Sequence, residues 1–173
     1  KSGFVYCSDV LEPHGKLREN NTGVQQRKKT QAFVEKSTGE KFLFSVNHFK
    51  AKSGRGYGAN ADQGDGQGSY NADRVKEANS LLDNYERDCI FYNDSDILIM
   101  GDLNAEEDSA TIAAATEHFL DARYVADITE DTYTYQNWGN PDKSSRIDYF
   151  MISPNGFDVL RYDVLDHTHN GVY

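Results

Sequence analysis

The chain has 173 residues and a hydrophobic content of 38%, which suits one ordered domain with a substantial core. Its 18 Lys and Arg residues against 28 Asp and Glu give a net charge of -10. This balance argues against non-specific binding of nucleic acid, which requires cationic side chains to replace counterions. It does not exclude an enzyme that reaches phosphate through a divalent cation. No apolar run of about eighteen residues occurs, so no membrane span is predicted.

The two cysteines, Cys7 and Cys89, are far apart and do not form a metal-binding pair. One disulfide and two buried thiols are both compatible with them, so cysteine usage does not decide the compartment. The chain has no initiator Met and begins at Lys1, almost directly in an apolar segment. We expect such a chain to be a fragment or a processed product.

Apolar and β-branched runs predict six strands, at about residues 3–7, 31–35, 41–49, 96–101, 146–152 and 157–165. A helix over 71–91 is predicted with Asn71 as its N-cap. Its apolar stripe consists of Val75, Ala78, Leu82, Tyr85 and Cys89. A second, alanine-rich helix is expected near 109–120, begun by Asp108 or Ser109.

The segment from 53 to 70 is rich in glycine, with Asp62 and Asp65 among the glycines. A loop this long in a compact domain is usually functional or disordered. Alternating Asp and Gly could bind calcium, but the spacing does not match a helix-loop-helix calcium site. A mobile surface loop whose polar residues touch a substrate is the preferred interpretation, with calcium binding as the alternative.

The most informative segment is 96–104, where four apolar residues run into Gly101, Asp102 and Asn104. If the chain stays extended past Gly101, Asp102 and Asn104 project to the same side of the strand. A carboxylate beside an amide suits the binding of a metal, or of a water against a phosphate. The alternative is a turn closed by Asx hydrogen bonds, which the same residues also favour.

Two further polar residues lie on apolar strand faces. His48 shares a face with Phe42, Phe44 and Val46, where a hydrogen-bonded core histidine is the alternative to a catalyst. Asp148 shares a face with Phe150 and Ile152, where a carboxylate requires a cation, metal or imidazole. Its alternative role is an ion pair with Arg146. Together, His48, Asp102, Asn104 and Asp148 are the groups required for metal-assisted attack of water on a phosphoester.

Three motifs resemble, in order and spacing, those of the endonuclease/exonuclease/phosphatase superfamily. They are residues 46–49 (VNHF), 101–104 (GDLN) and 146–153 (RIDYFMIS). Residues 65–68 (DGQG) and 71–74 (NADR), after the Asn-His-Phe motif, are most similar to secreted bacterial nucleases. The resemblance covers nearly the whole chain, including the entry into a strand at 27–33. It implies an α/β four-layer sandwich with two mixed, mainly antiparallel sheets inside and helices outside.

The resemblance also implies a role for each site residue. His48 would contact the scissile phosphate and act as general acid, and Asp102 would orient or deprotonate the attacking water. Asn104 would position the phosphate and that water, and Asp102 and Asn104 could both contact the metal. Asp148 would pair with a second histidine, and Arg27 would contact the phosphate. The implied cofactor is Mg²⁺, with Mn²⁺ or Ca²⁺ as alternatives.

Two departures from the family pattern predict a domain cut at both ends. The family's Asn and metal-binding Glu should lie upstream of Lys1, and its Ser-Asp-His motif does not occur. His167 and His169 come near the right place, but the histidine's role is not assigned to either. As an isolated chain, this fragment is expected to be inactive.

The leading hypothesis is therefore a Mg²⁺-dependent phosphodiesterase acting on nucleic acid, secreted or periplasmic by resemblance. Because the net charge is -10, a phosphatase or phosphodiesterase acting on inositol phosphates or phospholipid headgroups is the alternative. A non-catalytic binding module with the same fold is a third possibility. Neither the oligomeric state nor the choice between internal and terminal cleavage follows from the sequence.

Overall fold

The computed structural model describes residues 2–20, 24, 28–127, 133–136, 139–140 and 144–164. The strands are β1 (Leu11–Asn20), β2 (Lys28–Glu35), β3 (Lys41–His48), β4 (Ile97–Asp102), β5 (Leu120–Asp121) and β6 (Asp148–Ile152). The helices are α1 (Asn71–Tyr92), α2 (Ala110–Thr116) and α3 (Ala122–Val125), and a short 3-10 turn occupies Gly58–Asn60. The predicted strands at 31–35, 41–49, 96–101 and 146–152 and both predicted helices are confirmed, with bounds that differ by at most four residues.

The six strands form one mixed sheet in the order β1-β2-β3-β4-β6-β5. Only β3 and β4 are parallel, and the long connection between them contains the glycine-rich segment and α1. All other neighbours are antiparallel. The α/β class and the mainly antiparallel pairing are confirmed. The described residues form one extended sheet, so the second sheet of the four-layer sandwich stays a prediction.

The two sheet faces differ in how they are covered. Leu43, Ile97 and Ile99 point to one face, where they form the hydrophobic core with residues of α1 and α2. The opposite face carries Phe44 and half-buried neighbours of β3, β4 and β6. Because side chains alternate along each strand, the polar ends of β3, β4 and β6 also belong to this second face.

The expected strand at 3–7 is wrong, because residues 2–7 pair with no strand. Phe4 instead packs on Phe33 and Phe44 of the second face, with ring centroids 5.9 and 5.5 Å apart. Tyr6 packs on Phe33 at 5.0 Å. The segment's aromatic side chains are therefore used to cover the sheet rather than to extend it.

The structure also corrects the prediction at the other end of the chain. The described part of 157–165 forms no strand, although Phe157 packs edge-on against Phe42 at 6.2 Å. Conversely, β1 was not predicted. It is an exposed edge strand whose sequence has few apolar residues and contains Pro13, a residue that edge strands tolerate.

Helix α1 buries a stripe that differs from the predicted one. Ala78 is buried as expected, but Val75, Leu82, Tyr85 and Cys89 are only half-buried. The most buried positions include several polar residues, and the full set is Arg74, Glu77, Ala78, Leu81, Asn84, Asp88 and Tyr92. Buried polar groups of this kind are stable only when they have partners. The helix N-cap is Tyr70, in a left-handed conformation, so the prediction of Asn71 was wrong by one residue.

Arg74 is the partner of the glycine-rich segment. Its guanidinium is fully buried and donates to the backbone carbonyls of Gln67, Ser69 and Lys50 at 2.6, 2.8 and 3.3 Å. The segment is also tied to α1 by the Asn60 side chain, which accepts from the Asp73 amide at 3.0 Å. These contacts anchor the segment that the sequence predicted to be a mobile surface loop.

Helix α2 begins as predicted, since the Ser109 hydroxyl caps it by accepting from the Ile112 amide at 3.3 Å. It ends at Thr116 rather than near 120, because the chain turns into β5 and α3. Cys7 is exposed, Cys89 is half-buried, and both are free thiols. Among the described residues, no helix has the length and apolar character needed to cross a membrane.

The buried Glu77 predicts a pH dependence of stability. Burial raises the pKa of this carboxyl from 4.5 to about 7, helped by Asp73 and opposed by the Lys50 amide, Arg74 and the Lys50 charge. A carboxyl whose pKa is raised by folding contributes stability at any pH below its pKa in the unfolded chain. That contribution is lost as the pH rises through its pKa in the folded protein. We therefore expect the free energy of unfolding to fall by about 1–3 kcal/mol between pH 4.5 and 8 from this group.

Denaturant unfolding of Glu77→Gln over this range is the test. The glutamine keeps an acceptor for the Lys50 amide, which donates to Glu77 Oε2 at 2.7 Å, and should remove most of the slope. Glu86→Gln, on the exposed side of α1, is the matched control and should leave it unchanged. An identical slope in Glu77→Gln and the wild type would contradict this origin.

Candidate active site

Three of the predicted site residues lie side by side at one edge of the sheet. His48 is the last residue of β3, Asp102 the last of β4 and Asp148 the first of β6. His48 pairs in register with Asp102, and Asp102 pairs with Asp148. Residues directly opposite on neighbouring strands point to the same face. The sheet therefore brings one imidazole and two carboxylates, distant in sequence, into a single row.

The close approach of β3 and β4 at this edge depends on Gly101. Gly101 has φ +138°, and a Cβ atom placed on it would lie 1.9 Å from the Asn47 carbonyl oxygen. Only glycine fits such a position. The Phe49 amide then donates to the Asp102 carbonyl at 2.9 Å, which continues the pairing beyond the strand ends.

His48 and Asp102 are accessible and close enough to interact. His48 Nε2 lies 3.8 Å from Asp102 Oδ2, with the two side chains 39% and 33% exposed. Partial burial raises the pKa of Asp102, and the nearby charge of Asp148 raises it further, while the Asn104 amide and His48 lower it. A carboxylate with a raised pKa is a better proton acceptor than an ordinary aspartate.

Asn104 is placed by a turn rather than by strand alternation. Its φ is +50°, and its amide donates to Asp102 Oδ1 at 2.8 Å, so the chain does not stay extended past Gly101. The Asx turn that the sequence offered as an alternative therefore forms. It holds Asn104 beside Asp102, and the Asn104 side chain donates to the Phe49 carbonyl at 3.1 Å. The amide is thus held in one orientation next to the carboxylate.

Asp148 lies beside Asp102 on the predicted sheet face, but the alternative role offered for it, an ion pair with Arg146, is not formed. Arg146 instead pairs with the buried Asp121, at 2.7 Å between Nη2 and Oδ1. The alternative prediction of an ion pair between Asp148 and Arg146 is therefore wrong. The Thr134 hydroxyl accepts from the Asp148 amide at 3.0 Å and from the Ile147 amide at 3.1 Å. These bonds fix the backbone where β6 begins.

The remaining predicted residues lie outside the described part of the chain. They are Arg27 and the two histidines not given a role, His167 and His169. The residues that sequence reasoning missed near the site include Lys52, Glu106 and Thr134. Lys52 forms an ion pair with Glu106, and burial lowers the pKa of Lys52 to about 8. The sequence pointed to Lys52 and Glu106 only through their positions, since Lys52 closely follows His48 and Glu106 closely follows Asn104.

The donor set suits part of a divalent metal site. Asp102 and Asp148 place two carboxylates opposite each other, and Asn104 adds an amide, all oxygen ligands of the type that Mg²⁺ prefers. Within the described ranges, however, no three His, Cys, Asp or Glu side chains are grouped so that they could hold a metal ion, and this includes the glycine-rich segment. A complete site would need a further ligand beside these residues.

A family model described as the endonuclease/exonuclease/phosphatase family matches residues 11–170. The chain therefore belongs to this family, whose members are phosphoester hydrolases. The resemblance that the three motifs carry is confirmed. No curated protein matches the chain.

Solved structures share the fold at low sequence identity. A mannosyl-6-phosphatase from Bacteroides thetaiotaomicron has a TM-score of 0.60 and 18% identity over 87% of this chain and 55% of its own. The human Nocturnin catalytic domain with bound sulfate has a TM-score of 0.58 and 18% identity, over 86% and 50%. D. rerio TDP2 complexed with a single-strand DNA product has a TM-score of 0.57 and 12% identity, over 84% of this chain and 54% of its own. The chain thus spans about half the length of these structures.

Proposed function

We propose that the protein containing this chain is a metal-dependent phosphodiester hydrolase whose substrate is nucleic acid. The observation that supports this most is the row of His48, Asp102 and Asp148 on three adjacent strands, with Asn104 held beside it. One structural relative was solved with a single-strand DNA product, which is compatible with such a substrate. The DGQG and NADR segments, which resemble secreted bacterial nucleases, support the same choice and suggest export.

The proposed chemistry follows from the groups in the row. Asp102, with its raised pKa, accepts a proton from the attacking water. His48, 3.8 Å from it, contacts the phosphate and donates a proton to the leaving oxygen. Asn104 holds the phosphate and the water in line, which lowers the entropy cost of reaching the transition state. Asp148 pairs with a second histidine from elsewhere in the protein.

A divalent cation, proposed to be Mg²⁺, would neutralise the phosphate charge when bound. Asp102 and Asn104 would contribute to its binding, with a Glu outside this chain as the principal ligand. We also propose that strands outside this chain form the second sheet of a four-layer sandwich. That sheet would pack on the second face of the sheet described above, the face that carries Phe44. This would explain why the face bearing Phe44 is only partly covered by the residues present.

A second candidate is a phosphatase or phosphodiesterase of the same fold that acts on a small or lipid-linked phosphate. The net charge of -10 favours it, because long-range attraction of a polyanion requires a cationic surface. One structural relative is a mannosyl-6-phosphatase. The two candidates share the same phosphate site and differ in what surrounds it.

Plasmid nicking by the intact protein in the presence of Mg²⁺ tests the proposal. The wild type should convert supercoiled DNA to nicked DNA, and His48→Ala should slow this by roughly a hundredfold because a proton donor at the phosphate is lost. His118→Ala, an exposed histidine outside the row, should behave as the wild type. Release of phosphate from a small ester without any nicking would favour the second candidate. Full activity of His48→Ala would refute the site.

A further inference from the structure

The segment that follows β3 carries a local excess of positive charge on an acidic chain. Residues 49–61 contain Lys50, Lys52 and Arg55 and no Asp or Glu, whereas the whole chain has a net charge of -10. A local cluster of one sign attracts ligands of the other sign whatever the charge of the rest of the protein. The net charge therefore does not by itself exclude a polyanion at this segment.

Two of these cations lie over tyrosine rings. Lys50 Nζ is 4.3 Å from the centre of the Tyr70 ring, and the Arg55 guanidinium is 5.5 Å from the centre of the Tyr57 ring. The Tyr70 hydroxyl donates to the Arg55 carbonyl at 3.2 Å, which joins the two pairs. Among the residues that the structure describes, neither cation forms an ion pair with a carboxylate. A ring does not cancel the charge of its cation, so these four residues form a basic-aromatic surface.

The backbone that carries the basic-aromatic surface is held in one shape. Gly56 is buried, and a Cβ placed on it would overlap the Asn60 carbonyl oxygen, so the chain packs tightly on the short 3-10 turn. That oxygen accepts from the Tyr70 amide at 2.8 Å, and the Asn60 side chain accepts from the Asp73 amide of α1 at 3.0 Å. A surface that is ordered before its ligand arrives loses little conformational entropy on binding.

The basic-aromatic surface lies next to the candidate active site. The Asn104 side chain donates to the Phe49 carbonyl at 3.1 Å, and Lys50 is the next residue. Lys52, two residues further on, lines a cleft of about 770 Å³ together with Asn104 and Tyr135. A strand whose phosphate lies at Asn104 therefore has the basic-aromatic surface within reach of its neighbouring nucleotides.

The carboxylates near this surface leave its positive charge largely in place. Glu77 lies beneath Lys50, accepting from its amide at 2.7 Å, and burial raises the pKa of Glu77 to about 7. This carboxyl is therefore only partly charged at neutral pH. Asp62 and Asp65, further along the segment, accept from amides of their own turns at 2.9 and 3.0 Å.

We propose that the basic-aromatic surface binds the unpaired nucleotides of a single-stranded segment next to the scissile phosphate. Lys50 and Arg55 contact phosphates, and Tyr57, which is 75% exposed, stacks on a base. The bases of a duplex are already stacked on one another and do not accept the tyrosine in this way. The inference rests on the proposed hydrolysis of nucleic acid and adds the preferred form of the substrate and the residues that decide it.

Hydrolysis of thymidine oligonucleotides by the intact protein with Mg²⁺ tests the inference. A dinucleotide contains the scissile linkage but is too short to reach the surface. A single strand of about twelve thymidines is long enough to cover it, and the same strand paired with oligoadenylate hides its bases. We expect kcat/KM per linkage of the single strand to exceed those of the dinucleotide and the duplex by about tenfold or more.

The stacking role is assigned to Tyr57 with a matched control. Tyr57→Ala should lower kcat/KM for the long single strand by about tenfold and leave that of the dinucleotide unchanged. Tyr124 is also exposed, at 56%, and also has a cation over its ring, with the Arg123 guanidinium 5.6 Å from the ring centre. It lies on α3, outside the basic-aromatic surface, so Tyr124→Ala should behave as the wild type.

The charge of Arg55 is tested by binding of the fluorescently labelled long single strand. The Asp102→Asn background is used so that the strand is not cleaved during the titration. Arg55→Gln should weaken binding and reduce the slope of log Kd against log salt concentration by about 0.7, because one phosphate contact is lost. Arg87→Gln removes the same charge from an exposed position in the C-terminal half of α1 and should leave the slope unchanged.

The outcomes separate this inference from the proposed function. Cleavage of the dinucleotide or the duplex as fast as the long single strand overturns the surface assignment alone. So does a preference for the single strand that Tyr57→Ala leaves intact, or a salt slope that Arg55→Gln does not change. Failure to hydrolyse every oligonucleotide in the presence of Mg²⁺ overturns the proposed nucleic-acid substrate, and this inference with it.

Discussion

The Asp102→Asn variant of the intact protein is expected to lose phosphoester hydrolysis by roughly a hundredfold or more. Asparagine keeps an oxygen that can accept from the Asn104 amide, so the turn that places Asn104 should persist. What the substitution removes is the negative charge and the ability to accept a proton. The loss should therefore appear in kcat with the fold intact, as measured by steady-state hydrolysis and circular dichroism.

The free energy of unfolding of Asp102→Asn, unlike its activity, should not fall. The pKa of Asp102 is raised in the folded protein, so its charged form is disfavoured there, and the corresponding stability is lost as pH rises through that pKa. A neutral asparagine side chain avoids this cost, and Asp102→Asn should be at least as stable as the wild type at neutral pH. An exchange of stability for activity of this kind is common at catalytic sites.

Two comparisons make the result decisive. Asp96→Asn removes another carboxylate whose pKa is raised by burial, just before the start of β4 and away from the site, and should retain activity. In the wild type, activity should fall on the acid side at a pH above the ordinary pKa of an aspartate, since only the carboxylate accepts the proton. Wild-type turnover in Asp102→Asn would remove this residue from the mechanism.

Gly101→Ala is expected to produce the largest loss of stability. The added Cβ would lie 1.9 Å from the Asn47 carbonyl oxygen and 2.8 Å from its carbon, and both are backbone atoms that cannot rotate away. Separating β3 from β4 at this point would break the pairing that aligns His48 with Asp102. We expect a loss of about 3 kcal/mol or more in the free energy of unfolding, measured by denaturant titration.

Gly39→Ala is the matched control, because it separates steric clash from backbone strain. Gly39 also has a positive φ, of +80°, but a Cβ there would meet nothing within 4 Å. It should therefore cost only about 1–2 kcal/mol, from the left-handed conformation alone. Equal losses in the free energy of unfolding of the two variants would show that the close approach of β3 to β4 at Gly101 does not add to the cost of the substitution.

Apolar patterns in the sequence predicted the strands whose apolar side chains are buried in the sheet. The runs at 41–49 and 96–101 alternate or are continuously apolar, and they form β3 and β4. Such patterns failed where a contact distant in sequence decided the outcome. Residues 3–7 are apolar enough for a strand, but Phe4 and Tyr6 are used to cover the sheet face.

The predicted stripe of α1 failed for a related reason. Hydrophobic periodicity cannot show that a buried position is charged and satisfied by distant partners. Asp88 is fully buried because Arg18 of β1 lies 2.8 Å from it, and Asn20 donates to it at 3.0 and 3.1 Å. The edge strand β1 was missed in turn because its residues are mostly exposed, so they carry no apolar alternation.

By itself, the sequence determined the family and the identities of His48, Asp102, Asn104 and Asp148 as candidates, because their residue types and order carry the chemistry. Only the tertiary structure decided that three of them form one row, since strand register depends on pairing between segments far apart in the chain. It likewise decided that Arg146 pairs with Asp121, and that Lys52 and Tyr135 line one cleft. Contacts of this kind arise from packing, which no local pattern encodes.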